Sequence, residues 1–304
     1  MSITPADFAG RGELLTPLSA IPVMGCRLDH VTLLRLDRIG GLAPGNKVFK
    51  LQANLVEARR RGVRRLVSFG GSWSNHLHAL AAVAQAQGYE AVGLVRGEEQ
   101  ETAMLADARR WGMRVVRLSR GEYRRRNEAA YLEDVARRYA PCLVIPEGGS
   151  NDAGARGCEG IAALVNQLAP QSSRIVTAVG TGTTLAGILA GLGRPAEVVG
   201  VSALKGARDL EKRVQDALAS RGGGFTPRWQ ILHDYHCGGF ARVTPELREF
   251  VEVFESVQGV PLEPVYTGKM LFAIHQLTLG GEWDRRPVLA IHTGGLQGRR
   301  GFDW

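Results

Sequence analysis

Along the chain, short runs of β-branched and apolar residues alternate with segments whose apolar positions recur at helical spacing. Runs at 65–69, 91–95, 114–118, 142–146, 174–179, 198–203 and 288–292 predict strands. Segments at 74–87, 99–111, 128–139, 183–192, 210–219 and 245–257 predict helices. Gly62, Gly88 and Gly112 stand where helices should close, the place glycine favours as a C-cap. Alternation of this kind implies an α/β fold of parallel or mostly parallel sheets with helices on both faces. The texture breaks at the turn-rich Pro146-Glu147-Gly148-Gly149-Ser150-Asn151, so two lobes are expected, with ligands between them at the C-terminal ends of the strands.

A chain of 304 residues is long enough for two such lobes. With 44% hydrophobic and 22% charged residues, it is neither disordered nor collagen-like. No apolar run reaches the roughly 18 residues a membrane span needs, and the N-terminus has no basic stretch followed by an apolar one. Cys26, Cys142, Cys158 and Cys237 are scattered without a CxxC pair. They read as reduced thiols of a cytoplasmic protein, with no metal site. The net charge of +8 raises the question of nucleic acid. Its carriers are arginine clusters such as 59–61, 124–126 and 299–300, which lie at helix ends or on loops with few aromatics between them. That is a solvated surface, not a nucleic-acid site. Of 38 basic residues only Lys47, Lys50, Lys205, Lys212 and Lys269 are lysines, so few amines are candidates for chemistry.

Five segments carry candidate chemistry. Gly180-Thr181-Gly182-Thr183-Thr184-Leu185-Ala186-Gly187 follows a strand and opens a helix. Its glycines, hydroxyls and free N–H groups make a phosphate cradle. It lacks the lysine of a nucleotide-triphosphate loop and the third glycine of a dinucleotide turn, which leaves one phosphate of a smaller cofactor. Gly70-Gly71-Ser72-Trp73-Ser74-Asn75-His76 joins another strand to a helix, with Ser74 as the expected cap; this anion-ready end suits a carboxylate. His78 faces elsewhere on that helix, at the surface or in the core. Gly45-Asn46-Lys47-Val48-Phe49-Lys50-Leu51 puts two lysines among apolar neighbours where a helix begins, and such an amine can be a nucleophile if burial lowers its pKa. Glu263-Pro264-Val265-Tyr266-Thr267-Gly268-Lys269 and Ile291-His292-Thr293-Gly294-Gly295 are each an ordinary loop when taken alone.

Taken together and in order, GNKVFKL, FGGSWSNH, PEGGSN, GTGTTLAG, PVYTGK and IHTGG resemble the pyridoxal-phosphate enzymes of fold type II, the tryptophan synthase β-like group. The branch they resemble is that of 1-aminocyclopropane-1-carboxylate deaminase and D-cysteine desulfhydrase. The resemblance runs from about 43 to 295. It implies a larger cofactor-binding domain of 1–43 and 146–304, and a smaller α/β domain of 44–145 carrying the Schiff-base lysine and the SNH loop. It implies that Lys50 is that lysine, that Asn75 contacts the cofactor ring hydroxyl, and that Ser74 and His76 face the substrate with Asn75. It also implies that Gly180, Thr181, Gly182, Thr183 and Thr184 hold the phosphate of pyridoxal 5'-phosphate, that Tyr266 stands at the reacting face, that Thr267 and Thr293 lie by the pyridine nitrogen, and that Gly294 is among the cofactor-binding residues. Three positions depart from the deaminase pattern. Thr267 replaces a glutamate, as on the desulfhydrase side; Phe49 replaces an arginine; and Gly239-Phe240-Ala241 stands where a second tyrosine would be.

The function implied is a cytoplasmic, homodimeric lyase or deaminase of a small amino acid, of the kind that turns D-cysteine into pyruvate, sulfide and ammonia, with Lys50, Tyr266 and Ser74 catalytic. Cyclopropane ring opening is the alternative within the family. A nicotinamide oxidoreductase using 180–187, or a non-catalytic protein that binds pyridoxal phosphate or an amino acid, are the alternatives outside it. No nucleic-acid, membrane or metal partner is expected.

Overall fold

Apolar residues on successive strand positions point to opposite faces, and here both faces are covered. The computed structural model describes residues 14–39, 41, 44–97, 101–220 and 225–303. Its larger sheet contains β1 (Leu15–Pro17), β2 (Val31–Arg35), β7 (Arg174–Val179), β8 (Glu197–Ser202), β9 (Arg228–Leu232) and β10 (Val288–His292), in the order β1-β2-β10-β7-β8-β9. Every pairing is parallel except β1 with β2. The smaller sheet contains β3 (Arg65–Gly70), β4 (Glu90–Arg96), β5 (Arg114–Leu118) and β6 (Leu143–Ile145), ordered β5-β4-β3-β6 and all parallel.

The larger sheet is filled on one face by Leu34, Ile175, Val179, Val198, Leu289 and Ile291, against α6 (Asp152–Leu168), α7 (Thr183–Leu192) and α8 (Leu210–Ala219). The alternate residues Leu33, Val176, Val199, Val201 and Ala290 pack on α9 (Pro245–Gln258) and α10 (Thr267–Leu279). The smaller sheet has α2 (Asn75–Gln87) and α3 (Ala103–Arg110) on one face, and α4 (Arg120–Arg124) and α5 (Ala129–Arg138) on the other. Strands buried on both faces explain the near-continuous apolar runs in the sequence.

Helix α1 (Asn46–Arg60) joins the two cores. Val48 and Phe49 belong to the larger core, while Leu51, Leu55 and Ala58 belong to the smaller one. It lies on α6 closely enough that a Cβ at Gly157 would be 1.9 Å from the Phe49 carbonyl oxygen. Phe49 is 2% exposed, so it fills the core rather than facing a ligand. No helix among the described residues is long and apolar enough to cross a membrane.

Candidate active site

The strands β3, β6, β7 and β10 are parallel within their sheets, and the loops after their C-terminal ends hold the quoted segments. The SNH loop follows β3, PEGGSN follows β6, GTGTT follows β7 and the Thr293–Gly295 turn follows β10. Lys50 reaches them from α1. It is 3% exposed, and its Nζ donates to the Gly148 carbonyl at 3.1 Å. Burial pushes its ammonium pKa down, which favours the neutral, nucleophilic amine.

Around Lys50 the backbone approaches closely. Gly149 takes φ +68, a conformation that side chains rarely adopt, and a Cβ there would sit tightly, 3.3 Å from both His76 Cε1 and Lys50 Cβ. A Cβ at Gly148 would be 3.0 Å from Thr181 Cγ2, and one at Gly180 would be 3.0 Å from the Tyr266 ring. The structure therefore brings Lys50, His76, Thr181, Gly180 and Tyr266 into one neighbourhood. Thr181 and Thr183 share a hydroxyl contact at 2.9 Å, and Thr183 donates to Ser150 at 3.1 Å. Thr184 accepts from Asn46 Nδ2 at 2.9 Å, seating the start of α1 on this loop. Gly182 takes φ +84 and faces Val214 of α8, so its conformation turns the chain into α7.

His76 is 2% exposed. The Ser68 hydroxyl donates to the Ile145 carbonyl at 2.7 Å and lies 2.9 Å from His76 Nε2. Because the serine has one proton to give, Nε2 must be the donor there, and Nδ1 is left as an acceptor. Nδ1 is buried and has no protein partner. Burial, then the charges of Lys47 and Lys50, push the imidazole pKa down to about 3, so His76 is neutral. An unpartnered buried acceptor beside a buried amine, with glycines whose Cβ positions lie against neighbouring atoms, is polar capacity that a ligand can satisfy.

Ser74 caps α2 by accepting the Leu77 N–H at 3.2 Å, as its position predicts. Asn75 Oδ1 accepts from Gln297 Nε2 at 3.0 Å, and a Cβ at Gly295 would be 2.9 Å from Asn75 Nδ2. Thr293 contributes its carbonyl, which takes the Asn46 N–H at 3.1 Å, and Gly294 packs against Gly45. Thr267 is wholly buried and exchanges hydrogen bonds with Glu263. His78 lies away from this cluster; it is buried, 3.2 Å from Asp107 and edge-on to Trp111.

Three further buried groups, to which the sequence assigned no site role, lie close by. Glu263 is 1% exposed; burial pushes its carboxyl pKa up to about 7 against the opposing pull of three backbone N–H groups. Lys269 is wholly buried and donates to the Gly239 carbonyl at 2.6 Å; its apolar flank in KMLFAI was the available signal. Lys47 is partly exposed as a residue but encloses its ammonium, which donates to Asn46 Oδ1 at 2.9 Å and is lowered to about 7 by burial and then by Lys50. The Gly239-Phe240-Ala241 turn puts the Phe240 ring edge-on to Tyr266, with centroids 6.2 Å apart. Among the described residues no His, Cys, Asp and Glu cluster could hold a metal.

Comparison with known proteins adds the following. The family described as "Pyridoxal-phosphate dependent enzyme" matches residues 11–294. A "Putative 1-aminocyclopropane-1-carboxylate deaminase" of Thermotoga maritima is 33% identical over 282 residues, covering 88% of this chain and 89% of its own. A "D-cysteine desulfhydrase" of Klebsiella pneumoniae is 30% identical over 308 residues, covering 92% and 91%. Among solved structures, an ACC deaminase homologue superposes with a TM-score of 0.79 at 24% identity, covering 97% of this chain and 95% of its own. A hydrogen sulfide-producing enzyme of Fusobacterium nucleatum gives 0.66 at 12%, covering 98% and 99%. These structural likenesses speak to fold alone.

Proposed function

Because the chain belongs to the pyridoxal-phosphate dependent enzymes, and within them to the 1-aminocyclopropane-1-carboxylate deaminase and D-cysteine desulfhydrase-like family, we propose that it is a D-cysteine desulfhydrase-like lyase. The family is one of pyridoxal phosphate-dependent lyases and deaminases, and its fold is fold type II. That membership displaces the nicotinamide and non-catalytic readings. The observation that carries the choice of substrate is Thr267, wholly buried beside Glu263 where the deaminase pattern has glutamate and the desulfhydrase pattern threonine. The Phe240 ring against Tyr266 leaves no second phenol in that turn, which counts against ring opening.

When bound, the cofactor supplies an electron sink for a carbanion at the substrate Cα. In our reading, Lys50 would hold it covalently until the substrate amine takes its place; the freed Nζ would then move the Cα proton, while Tyr266 Oη would give a proton to the departing thiolate. The N-terminus of α7, with Thr181, Thr183 and Thr184, takes the phosphate. Thr293 and Gly294 hold the start of α1, and with Thr267 they would help to hold the cofactor. The N–H groups of Asn75 and His76, with the Ser74 hydroxyl, take the substrate carboxylate and so orient Cα for reaction. His76 Nδ1 accepts a hydrogen bond from the bound substrate or cofactor. We further assign the smaller domain to 44–145 with α1 at the seam, and expect a cytoplasmic homodimer. Cys26, Cys142, Cys158 and Cys237 are free thiols, which supports a reducing compartment.

Sulfide and pyruvate released from D-cysteine, compared with L-cysteine and with ketobutyrate from the cyclopropane amino acid, test the reading. D-Cysteine turnover without ring opening is expected; ring opening without sulfide release would contradict it. Asn75 gives a second prediction. Gln297→Ala removes the partner that fixes the Asn75 amide, and should weaken cofactor binding about 10-fold, the worth of one hydrogen bond. Titration of the apo protein with cofactor measures this.

A further inference from the structure

The proposed function leaves Glu263 without a role, yet this buried carboxylate spends both oxygens on the turn that carries Tyr266 and Thr267. Oε1 accepts the N–H groups of Tyr266 and Thr267, both at 2.6 Å, and Oε2 accepts that of Val265 at 2.8 Å. The Thr267 hydroxyl lies 3.4 Å from Oε1 and accepts the Glu263 N–H at 3.2 Å. These are N–H groups that α10 cannot satisfy within itself, and a carboxylate there also offsets the positive end of the helix. Tyr266 sits at φ −122 and ψ −68, outside the helical region. Its place is therefore set by the Glu263 side chain more than by helix geometry.

We propose that Glu263 is a positioning residue of this site: it fixes Tyr266 and Thr267 through their N–H groups and, through the Thr267 hydroxyl, links its own protonation to the pyridine ring of the bound cofactor. The inference rests on the pyridoxal-phosphate reading above. The titratable groups facing Glu263 are Lys47 from α1, and Lys269 and Tyr266 from its own side of the site. Its carboxyl, lifted to about 7 by burial, favours the protonated form in the fold. That contribution is complete below the ordinary value of 4.5 and is lost as the pH rises through about 7. Lys47, lowered to about 7, acts with the opposite sign, its penalty growing as the pH falls. The difference between the native protein and Glu263→Gln isolates the glutamate.

Two measurements on native protein, Glu263→Gln and Thr267→Val test this: melting of the apo protein across the neutral range, and the pH titration of the bound cofactor's visible spectrum. Glu263→Gln should remove the near-neutral transition from both and lower kcat about 100-fold with little change in KM, the cost of a misplaced reacting group. Thr267→Val should keep the transition in apo melting and lose it from the cofactor spectrum. Should Glu263→Gln not fold, Glu263→Asp keeps the charge but cannot reach all three N–H groups, and should retain the titration while lowering kcat. The same neutral transitions in native protein and Glu263→Gln would overturn the proposal, as would a Thr267→Val spectrum that titrates like the native one. Failure to take up pyridoxal phosphate, with a Glu263-dependent apo transition still present, would instead overturn the cofactor reading.

Discussion

Lys50→Ala should abolish turnover, with a loss of at least about 10³-fold, because one side chain would supply both the covalent tether and the proton carrier. The fold should survive. The variant loses one hydrogen bond to Gly148 but also relieves the cost of an amine buried in a low-dielectric site. Lys47 lies on the same face of α1 one turn earlier, yet its Nζ is held by Asn46, which is itself bound to Thr184. It is therefore poorly placed to take over. Product assays with melting curves as a control decide this; substantial turnover by a folded Lys50→Ala protein would sink the assignment.

Gly157→Ala should be the most damaging small substitution. The added Cβ would meet the Phe49 carbonyl oxygen at 1.9 Å, its carbon at 2.8 Å and the Lys50 Cα at 3.4 Å. All are backbone atoms of a helix packed into two cores, so none can swing away. Overpacking of this kind costs about 3 kcal/mol. Relief requires α1 to move off α6, and that carries Lys50 away from Gly148. A lowered melting temperature and weaker cofactor binding should appear together. Gly121→Ala in α4 is the control: its Cβ would meet only Ser119 Oγ, at 3.9 Å, so the better helix former should be neutral or mildly stabilising. Equal effects at both glycines would refute the close-approach argument.

The same α1–α6 contact explains what the sequence hid. β5, β7, β10, α7 and α8 lie where apolar spacing predicts; for β7, β10 and α7 the reason is that buried parallel strands and their crossover helices carry the plainest patterns. Helix α6 escaped that reading because Gly154, Gly157 and Gly160 interrupt it with poor helix formers. Those glycines are there so that other segments can approach: Gly154 meets the Gly149 carbonyl, Gly157 meets α1, and Gly160 meets the Phe49 ring. Helix α10 opens on Thr-Gly and looked like the end of a loop. Its cap is a side chain three to four residues earlier, a contact no local pattern reveals. β1, β2 and β9 are short edge or near-edge strands with little alternation to read. Lys50, the SNH segment and the GTGTT turn could be picked out because glycine, hydroxyl and amine sit at fixed local spacing. Glu263 and Gln297 could not, since their partners are distant in the chain or lie in the backbone.

The identity of the cofactor lysine is the central claim, and the five lysines make it sharply testable. Purified protein loaded with pyridoxal phosphate should absorb in the visible range, and borohydride should bleach that band and fix the label to one peptide. The account expects the label on Lys50, with Lys47 and Lys269 unmodified. A colourless protein that binds no pyridoxal phosphate, or a label on Lys47 or Lys269, would contradict it.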